Sequence, residues 1–325
     1  MTAADVASPA APRIDALARF YRGRPVLVYD RAALERNLAE AARLRALGCR
    51  SLLAVKAFPH PEVLRFAARH LDGFDCSNGV EAALVPAGAL VSLTDPAGGA
   101  ESFALERADV VVIDGVDQFE QLERVARPRP YLVRLDLLDV FGFPNRRSKY
   151  GCAVADLPRV CRSARHRFLG FHAHRQSLRG AGGEAILHET RFDRAELVRR
   201  ILGFGFPVAR INLGGGLFPA GLTAEVEAIR AFCPPEVELF VEPGDHWFRG
   251  CGYAVSRVLK VVRRGEYRHL TTDVSREAHL KWSNREGRSD RDLLQFAKEP
   301  DNATVHGPSC RLNGEVLTTA HLPSA

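Results

Sequence analysis

Eight short apolar runs alternate with segments of helical periodicity between residues 51 and 241. Apolar runs of this length, bounded by turn residues, are typical of buried strands. Strands in regular alternation with helices predict an α/β fold of the parallel (β/α)₈ or TIM-barrel type. A doubly wound open sheet is the alternative, but the chain lacks a GxGxxG turn after its first strand. The predicted strands are 51–56, 73–77, 88–93, 109–114, 130–136, 167–173, 208–213 and 237–241. The predicted helices are 61–70, 79–86, 99–106, 117–126, 155–164, 185–203 and 223–232.

The pattern changes after the eighth strand, where further strands follow without helices between them. The predicted tail strands are 253–262, 269–274 and 304–305, and a short helix is expected around 293–296. The expected domain organisation is a disordered or loosely ordered lead-in over 1–24, a barrel over 25–245 and a small, shortened β domain over 246–325. Residues 25–29 are expected to add a strand to that β domain.

Composition narrows the class of protein. The net charge of +6 comes from scattered arginines without a run of five basic residues, so nucleic acid is not an expected partner. The sequence contains no stretch of eighteen apolar residues, so no membrane-spanning helix is predicted. The N-terminus lacks the basic and apolar segments of a signal peptide. The seven cysteines include no CxxC pair, which favours reduced thiols over a disulfide framework or a zinc knuckle. We therefore expect a cytoplasmic protein.

Chemistry in such a barrel is found at the C-terminal ends of the strands. The residues predicted at these ends are Lys56, Asp75, Thr94, Asp114, Arg134, His172 with His174, Gly214 to Gly216, and Glu242. Lys56 closes an apolar run. Its long side chain either places the ammonium group in solvent at the protein surface, or provides a reactive amine that forms a Schiff base with a carbonyl cofactor.

The other strand ends also allow two interpretations each. Asp75 and Asp114 are site residues or helix caps. His172 and His174 point the same way on a strand and could bind a metal, although no third ligand accompanies them at a suitable spacing. Gly214 to Gly216 form a phosphate-binding loop or a plain tight turn.

Taken together, these groups suit pyridoxal 5′-phosphate. Its aldehyde would take the lysine, its phosphate the glycines, and a carboxylate would hold the pyridinium proton that makes the ring an electron sink. Glu242 would supply the carboxylate, and His174 would stack on the ring.

Several motifs in order also carry a family resemblance. The matching segments are Leu52–Phe58, Ser148–Gly151, Gly170–His174, Asn212–Gly216, Glu242–Asp245, Asp273–His279 and Gly307–Cys310. With them, the chain resembles the fold-type III pyridoxal-phosphate enzymes, the alanine racemase-like and basic amino acid decarboxylase group. Within that group it is most similar to the carboxynorspermidine decarboxylase branch, from about Pro25 to Leu317.

The resemblance implies decarboxylation of an amino acid or a carboxylated polyamine through a Schiff base on Lys56. The implied cofactor-binding residues are Lys56, Asp75, His174, Ser177, Gly214, Gly215, Gly216 and Glu242. Cys310 would be offered across a homodimer interface to protonate the product, which makes a second copy of the chain the expected partner. Arg311 and Glu315 would contact the substrate.

The chain departs from the family pattern in three places. Asp245 stands where many relatives have an arginine that binds the phosphate. The carboxynorspermidine branch also carries an acid at that place. The acid that usually follows the cysteine closely comes late, at Glu315, and Arg311 would favour an acidic distal group on the substrate. The sequence given stops at Ala325, earlier than relatives do, so the β domain is expected to be small. The alternatives are an amino-acid racemase of the same fold and a cofactor-binding subunit that depends on a partner.

Overall fold

The computed structural model places the chain in two compact units. One unit is Leu34–Arg249, and the other combines described residues from before Leu34 and after Arg249. The described residues are 14–142, 150–174, 178–179, 185–187, 193–216, 218, 220–280, 302–309 and 316–320. Among the helices in these ranges, none is both long and apolar enough to cross a membrane.

Strands and helices alternate along the first unit. The strands of the whole chain are β1 (Val26–Tyr29), β2 (Cys49–Ala54), β3 (Gly73–Cys76), β4 (Leu90–Leu93), β5 (Val110–Ile113), β6 (Pro130–Arg134), β7 (Arg167–His172), β8 (Leu178–Arg179), β9 (Ala185–Leu187), β10 (Arg210–Asn212), β11 (Glu238–Val241), β12 (Gly252–Val255), β13 (Val258–Arg264), β14 (Tyr267–Thr272), β15 (Ala303–His306) and β16 (Val316–Ala320). The helices are α1 (Ile14–Ala18), α2 (Arg31–Leu38), α3 (Glu40–Ala46), α4 (Pro61–Ala67), α5 (Gly79–Leu84), α6 (Ala100–Phe103), α7 (Val116–Glu123), α8 (Leu137–Val140), α9 (Leu157–Val160), α10 (Arg194–Gly203), α11 (Leu222–Arg230), α12 (Asp245–Phe248) and α13 (Arg276–His279).

Eight parallel strands close into a barrel, which confirms the predicted fold class. Strands β2 to β7 follow chain order around the barrel, and β10 and β11 close it between β7 and β2. Each of the eight overlaps a run predicted from the sequence. All four residues of β5 are buried, because packed side chains fill the barrel and helices cover its outside. The strand ends that carry the candidate residues therefore meet at one face of the barrel.

The stretch predicted as a single helix over 185–203 contains two kinds of element. Its first residues form β9, which pairs antiparallel with β8. Helix α10 begins only at Arg194, where the Asp193 side chain accepts a hydrogen bond from the Ala195 amide as an N-cap. The prediction was wrong here because a short apolar run is compatible with either a strand or a helix.

The second unit is built on β-strands, as predicted for the tail. Strands β13 to β16 form one sheet in that order, with a parallel pair, β14 and β15, between two antiparallel pairs. Strand β1 pairs antiparallel with β12, so the early strand joins the tail strands as expected. The strand predicted over 253–262 is interrupted at Ser256 and Arg257, where the Asp273 carboxylate accepts hydrogen bonds from the Ser256 hydroxyl and the Arg257 amide. The helix expected around 293–296 lies outside the described residues.

Part of the lead-in is ordered. Helix α1 lies within it, and the Tyr21 hydroxyl donates a hydrogen bond of 2.6 Å to the Asp273 carboxylate. The described part of the lead-in, residues 14–24, is therefore attached to the β-strand unit by a specific polar contact.

Candidate active site

A cavity of about 330 Å³ lies at the C-terminal ends of the barrel strands, a volume suited to a small ligand. Its lining residues are Lys56, Asp75, Ser77, Thr94, Pro96, Arg134, Tyr150, His172, His174 and Glu242. A larger cavity of about 470 Å³ lies at the opposite ends of the same strands, beside Leu90, Val110 and Arg210. Barrel chemistry is found at the C-terminal ends, so the first cavity is the candidate site.

Glu242, directly after β11, is a buried carboxylate with three neighbouring nitrogen groups. The His172 Nε2 atom lies 2.8 Å from its Oε1, and the His174 Nδ1 atom lies 3.6 Å from the same oxygen. The Asn212 side-chain amide donates to Oε2 at 3.2 Å. The two imidazole rings are nearly parallel, with an angle of 9° between their planes. Both histidines predicted to share a strand face therefore approach one carboxylate.

These contacts determine the charge of the group. Burial alone would raise the pKa of Glu242, but His172 and His174 outweigh burial and hold this pKa well below its usual range. Burial lowers the pKa of His174, as do the charges of Lys56 and His172, while Glu242 acts in the opposite direction. Near neutral pH the site therefore holds an ionised Glu242 beside a neutral His174.

Asp75, on β3, is a second buried carboxyl group. The Thr94 hydroxyl donates to its Oδ1 at 2.8 Å. Burial raises the pKa of Asp75 well above its usual range, and the negative charge of Glu242 raises it further, against the opposing effects of Lys56 and Thr94. Asp75 therefore keeps a proton more readily than Glu242. It is not a helix cap, because Asn78 caps α5.

We expect Asp75→Asn to raise the free energy of unfolding of the cofactor-free protein near neutral pH by on the order of 1 kcal/mol. A carboxyl group whose pKa is raised by folding does not weaken the fold below its unfolded-state pKa. It weakens the fold progressively as pH rises from that value to the folded-state pKa. The gain should therefore shrink as pH falls, in urea titrations between about pH 8 and pH 5.

Asp72→Asn is the matched control at the other end of the same strand. Asp72 accepts hydrogen bonds from the Ser51 amide and hydroxyl and pairs with Arg45 at 3.3 Å. Its replacement should lower the free energy of unfolding at pH values near neutral. If Asp75→Asn also lowered the free energy of unfolding, the assignment of a raised pKa to the buried Asp75 would be wrong.

Lys56 is the exposed basic group of the cavity. Strand β2 ends at Ala54, and Lys56 lies two residues later, on a 3₁₀ turn at Val55–Ala57. Its charge acts on both Asp75 and His174. Because the lysine lies beyond the strand and is exposed, it lines the cavity without the desolvation cost of a buried ammonium.

Arg134, at the end of β6, adds a buried cation to the lining. Its guanidinium lies over the Tyr150 ring at 4.4 Å, and its Nη1 is 3.6 Å from the Asp114 carboxylate. Asp114 also accepts a hydrogen bond of 2.7 Å from the Gly151 amide. Within the described ranges, the Arg134 Nε has no hydrogen-bond acceptor. Arg134 thus brings a buried positive charge to the cavity lining, which favours an anionic group in the cavity.

The glycine loop, Gly214–Gly216, follows β10 and packs on the ends of neighbouring strands. A Cβ atom on Gly214 would lie 2.1 Å from the Ala173 carbonyl oxygen, and one on Gly215 would lie 2.5 Å from that of Glu242. Gly214 also has a φ of +68°. Helix α11 begins only at Leu222, so an anion at this loop would meet loop amides rather than a helix N-terminus.

The structure brings together the described members of the predicted site. Lys56, Asp75, His174 and Glu242 line the cavity, and the glycine loop packs against the Glu242 and His174 backbones. The predicted residues Ser177, Cys310, Arg311 and Glu315 lie outside the described residues. Asp245 begins α12, is exposed, and lies 4.0 Å from Arg249.

Four contributors are not assigned a role by the sequence alone. Thr94 and Arg134 stand at predicted strand ends, but their partners on other strands cannot be identified from the sequence. Tyr150 comes from a loop. Asn212 has the clearest signal, because it is a polar residue at the end of a strand, two positions before the glycine loop.

Comparison with known proteins identifies relatives of this chain. No family model matches the chain. A diaminopimelate decarboxylase from Deinococcus radiodurans is 30% identical over 272 residues, which are 77% of this chain and 68% of that protein. This level of identity over this share of both chains establishes a family relationship.

Solved structures agree on the fold. A carboxynorspermidine decarboxylase from Campylobacter jejuni, complexed with norspermidine, has a TM-score of 0.68 at 20% identity and covers 93% of this chain and 86% of its own. A diaminopimelate decarboxylase from Helicobacter pylori, complexed with L-lysine, has a TM-score of 0.72 at 16% identity over 96% and 85%. Together with the Deinococcus sequence, these matches show that the chain is a decarboxylase of the fold-type III, pyridoxal-phosphate-dependent family.

Proposed function

We propose that the protein removes CO₂ from an amino acid or a carboxylated polyamine with pyridoxal 5′-phosphate held in the barrel cavity. The main support is that one cavity contains an exposed lysine, Lys56, a buried ionised carboxylate, Glu242, and an imidazole, His174. When bound, this cofactor supplies the electron sink for the pair released from the Cα–carboxylate bond.

The residues present fit that cofactor. The amides of Gly215 and Gly216 have no hydrogen-bond acceptor in the part of the chain that the structure describes, so they are available to a phosphate group. Lys56 offers an accessible amine to the aldehyde. Glu242 is ionised and can hold a proton on the pyridine nitrogen.

Each group has a separate task in this proposal. His172 and Asn212 orient Glu242 and keep it anionic, so that it stabilises a protonated ring nitrogen. His174, neutral and partly exposed, offers a flat ring surface. Arg134 adds a positive charge to the cavity wall and so favours an anionic group bound there.

The proton that replaces CO₂ at the substrate α-carbon comes, in this proposal, from Cys310 of a second copy of the chain. The family motif supports this assignment, and a thiol near a cation is an available acid. It makes the active enzyme a homodimer in which each site uses residues of both copies.

Mixing two inactive variants tests this arrangement. Lys56→Ala and Cys310→Ala, denatured, combined in equal amounts and refolded, should regain about a quarter of wild-type activity, since half of the dimers are mixed and each then has one intact site. Either variant refolded alone is the control. No recovery, with mixed dimers demonstrated by differently tagged copies, would place Lys56 and Cys310 of one site in the same copy.

The substrate follows from the chemistry of the distal group. The relatives are named for diaminopimelate, which carries a distal carboxylate, and for carboxynorspermidine, which carries a distal amine. Arg311 would favour the first and Glu315 the second. CO₂ release should be measured with the cofactor and a panel of diaminopimelate, carboxynorspermidine, lysine, ornithine and acidic amino acids. If none of them released CO₂ from cofactor-loaded protein, the proposed function would fail.

Racemisation is a second candidate because Tyr150 lines the cavity. A phenol could serve as a second acid–base group beside Lys56. In D₂O, a racemase would exchange the α-proton of its substrate without releasing CO₂. Tyr150→Phe should abolish that exchange, whereas it should leave decarboxylation largely intact if the first proposal holds.

A further inference from the structure

A buried arginine, Arg194, lies behind the glycine loop and contacts one carbonyl of the loop and one just before it. Its Nη2 donates to the Gly215 carbonyl oxygen at 2.8 Å, and its Nε lies 3.5 Å from the Leu213 carbonyl oxygen. Its Nη1 pairs with the Glu225 carboxylate at 2.8 Å, and its guanidinium covers the Phe218 ring at 3.9 Å. Only 2% of Arg194 is exposed.

This position is costly for an arginine. Arg194 is the first residue of α10, where the helix dipole disfavours a cation, and burial adds a desolvation penalty. Glu225 offsets the charge of Arg194, so the ion pair exerts little net electrostatic attraction on an anion at the loop. Buried ion pairs of this kind can often be replaced by apolar residues without loss of stability. The contacts of Arg194 therefore suggest a role in the geometry of the loop.

The hydrogen bonds of the glycine loop show what that role is. The Gly214 amide donates to the Asn212 side chain, and its carbonyl accepts from the Glu242 amide. Arg194 binds the Gly215 carbonyl. Across the described ranges, the N–H groups of Gly215 and Gly216 are left without an acceptor. The loop thus has the Gly214 and Gly215 carbonyls fixed by protein groups and two of its donors unused.

We propose that Arg194 is a positioning residue: by fixing the Leu213 and Gly215 carbonyls, it holds the glycine loop in the conformation in which the Gly215 and Gly216 amides bind the phosphate group of the cofactor. This inference rests on the proposed function. It assigns to a side chain outside the cavity the selectivity for a phosphorylated over an unphosphorylated cofactor. It also predicts that Arg194 affects that selectivity and has little effect on the groups around Glu242.

The test compares two probes that differ only in the phosphate. Dissociation constants of cofactor-free protein for pyridoxal 5′-phosphate and for pyridoxal are measured by absorbance and by quenching of protein fluorescence. In Arg194→Met, affinity for the phosphorylated probe should fall about ten- to hundredfold, the range for one hydrogen bond to a charged group, whereas affinity for pyridoxal should change little. Arg194→Lys, which keeps the charge and one donor, should recover part of the loss.

Two further variants keep the test decisive. Arg194→Met combined with Glu225→Gln removes both charges together, so that no carboxylate is left unpaired if the single variant folds poorly. Arg129→Met is the matched control. Arg129 is also buried and also binds backbone carbonyls, those of Ala104, Leu105 and Ala108, but it lies at the opposite end of the barrel. Its loss should leave the ratio of the two affinities unchanged.

The outcomes separate this inference from the function on which it rests. If wild-type protein bound pyridoxal as tightly as its phosphate, the phosphate site and the proposed function would both be wrong. If wild type preferred the phosphorylated probe and the folded Arg194 variants kept that preference, the proposed function would stand and the positioning role of Arg194 would be overturned. An equal loss for both probes would likewise reduce Arg194 to a purely structural residue.

Discussion

Lys56→Ala should abolish CO₂ release, lowering the turnover rate by on the order of ten-thousandfold. The amine of Lys56 can bond covalently to a carbonyl cofactor, and Lys56 is the one lysine among the described residues that line the cavity. The fold should survive, because the side chain is exposed and lies on a 3₁₀ turn beyond the end of β2. Activity is measured on the substrate identified by the panel, and folding by the urea midpoint.

A second measurement locates the bond directly. Borohydride reduction of the cofactor-loaded wild type should attach the cofactor irreversibly to the peptide that contains Lys56, and Lys56→Ala should not be labelled. Lys260→Ala is the matched control, since Lys260 is an exposed lysine on β13 in the other unit. Labelling of another lysine in the wild type, with Lys56→Ala still active, would show that the site has been assigned to the wrong residue.

The barrel could be predicted from the sequence because each of its parts leaves a local pattern. Strands buried on both faces become short apolar runs, and helices packed on one side become three- and four-residue spacings. Once the strand ends are known, the barrel rule brings Lys56, Asp75 and Glu242 to one face, although they are far apart in the chain. Most of the cavity follows from that rule.

What the sequence could not show depends on contacts between distant residues. The proton balance between Asp75 and Glu242 requires their burial and the approach of His172, neither of which is encoded locally. Arg194 opens a helix and by its sequence context would be placed on the surface, yet it is buried against the glycine loop. Strand β9 was predicted as part of a helix because its three apolar residues do not decide between the two structures.

Glu242→Gln should lower the decarboxylation rate by about a hundred- to a thousandfold, while leaving the fold intact. A glutamine has nearly the same shape, and its carbonyl oxygen can still accept a hydrogen bond from His172 or Asn212. It cannot carry the negative charge that stabilises a protonated ring nitrogen, and its amide would offer a donor there instead. The loss should therefore appear in kcat and in the absorbance spectrum of the bound cofactor. The urea transition should still show a folded chain, with a midpoint lowered by the loss of the stabilising charge.

The same substitution at the other end of the strand provides the control. Glu238 begins β11 and forms surface ion pairs with Arg210 and Arg50, so Glu238→Gln should leave kcat and the cofactor spectrum as in wild type.

The pH dependence of activity separates the effect of the Glu242 charge from that of its shape. Folding lowers the pKa of Glu242, so its contribution to stability is present above the unfolded-state pKa and is lost as pH falls through the folded-state pKa. In mildly acidic buffer the carboxylate of the folded wild type should therefore stay ionised. The ratio of wild-type to Glu242→Gln activity should therefore hold across that range. A ratio that collapsed towards one as soon as the pH became mildly acidic would mean that Glu242 is protonated there, contrary to the charge that the two histidines impose.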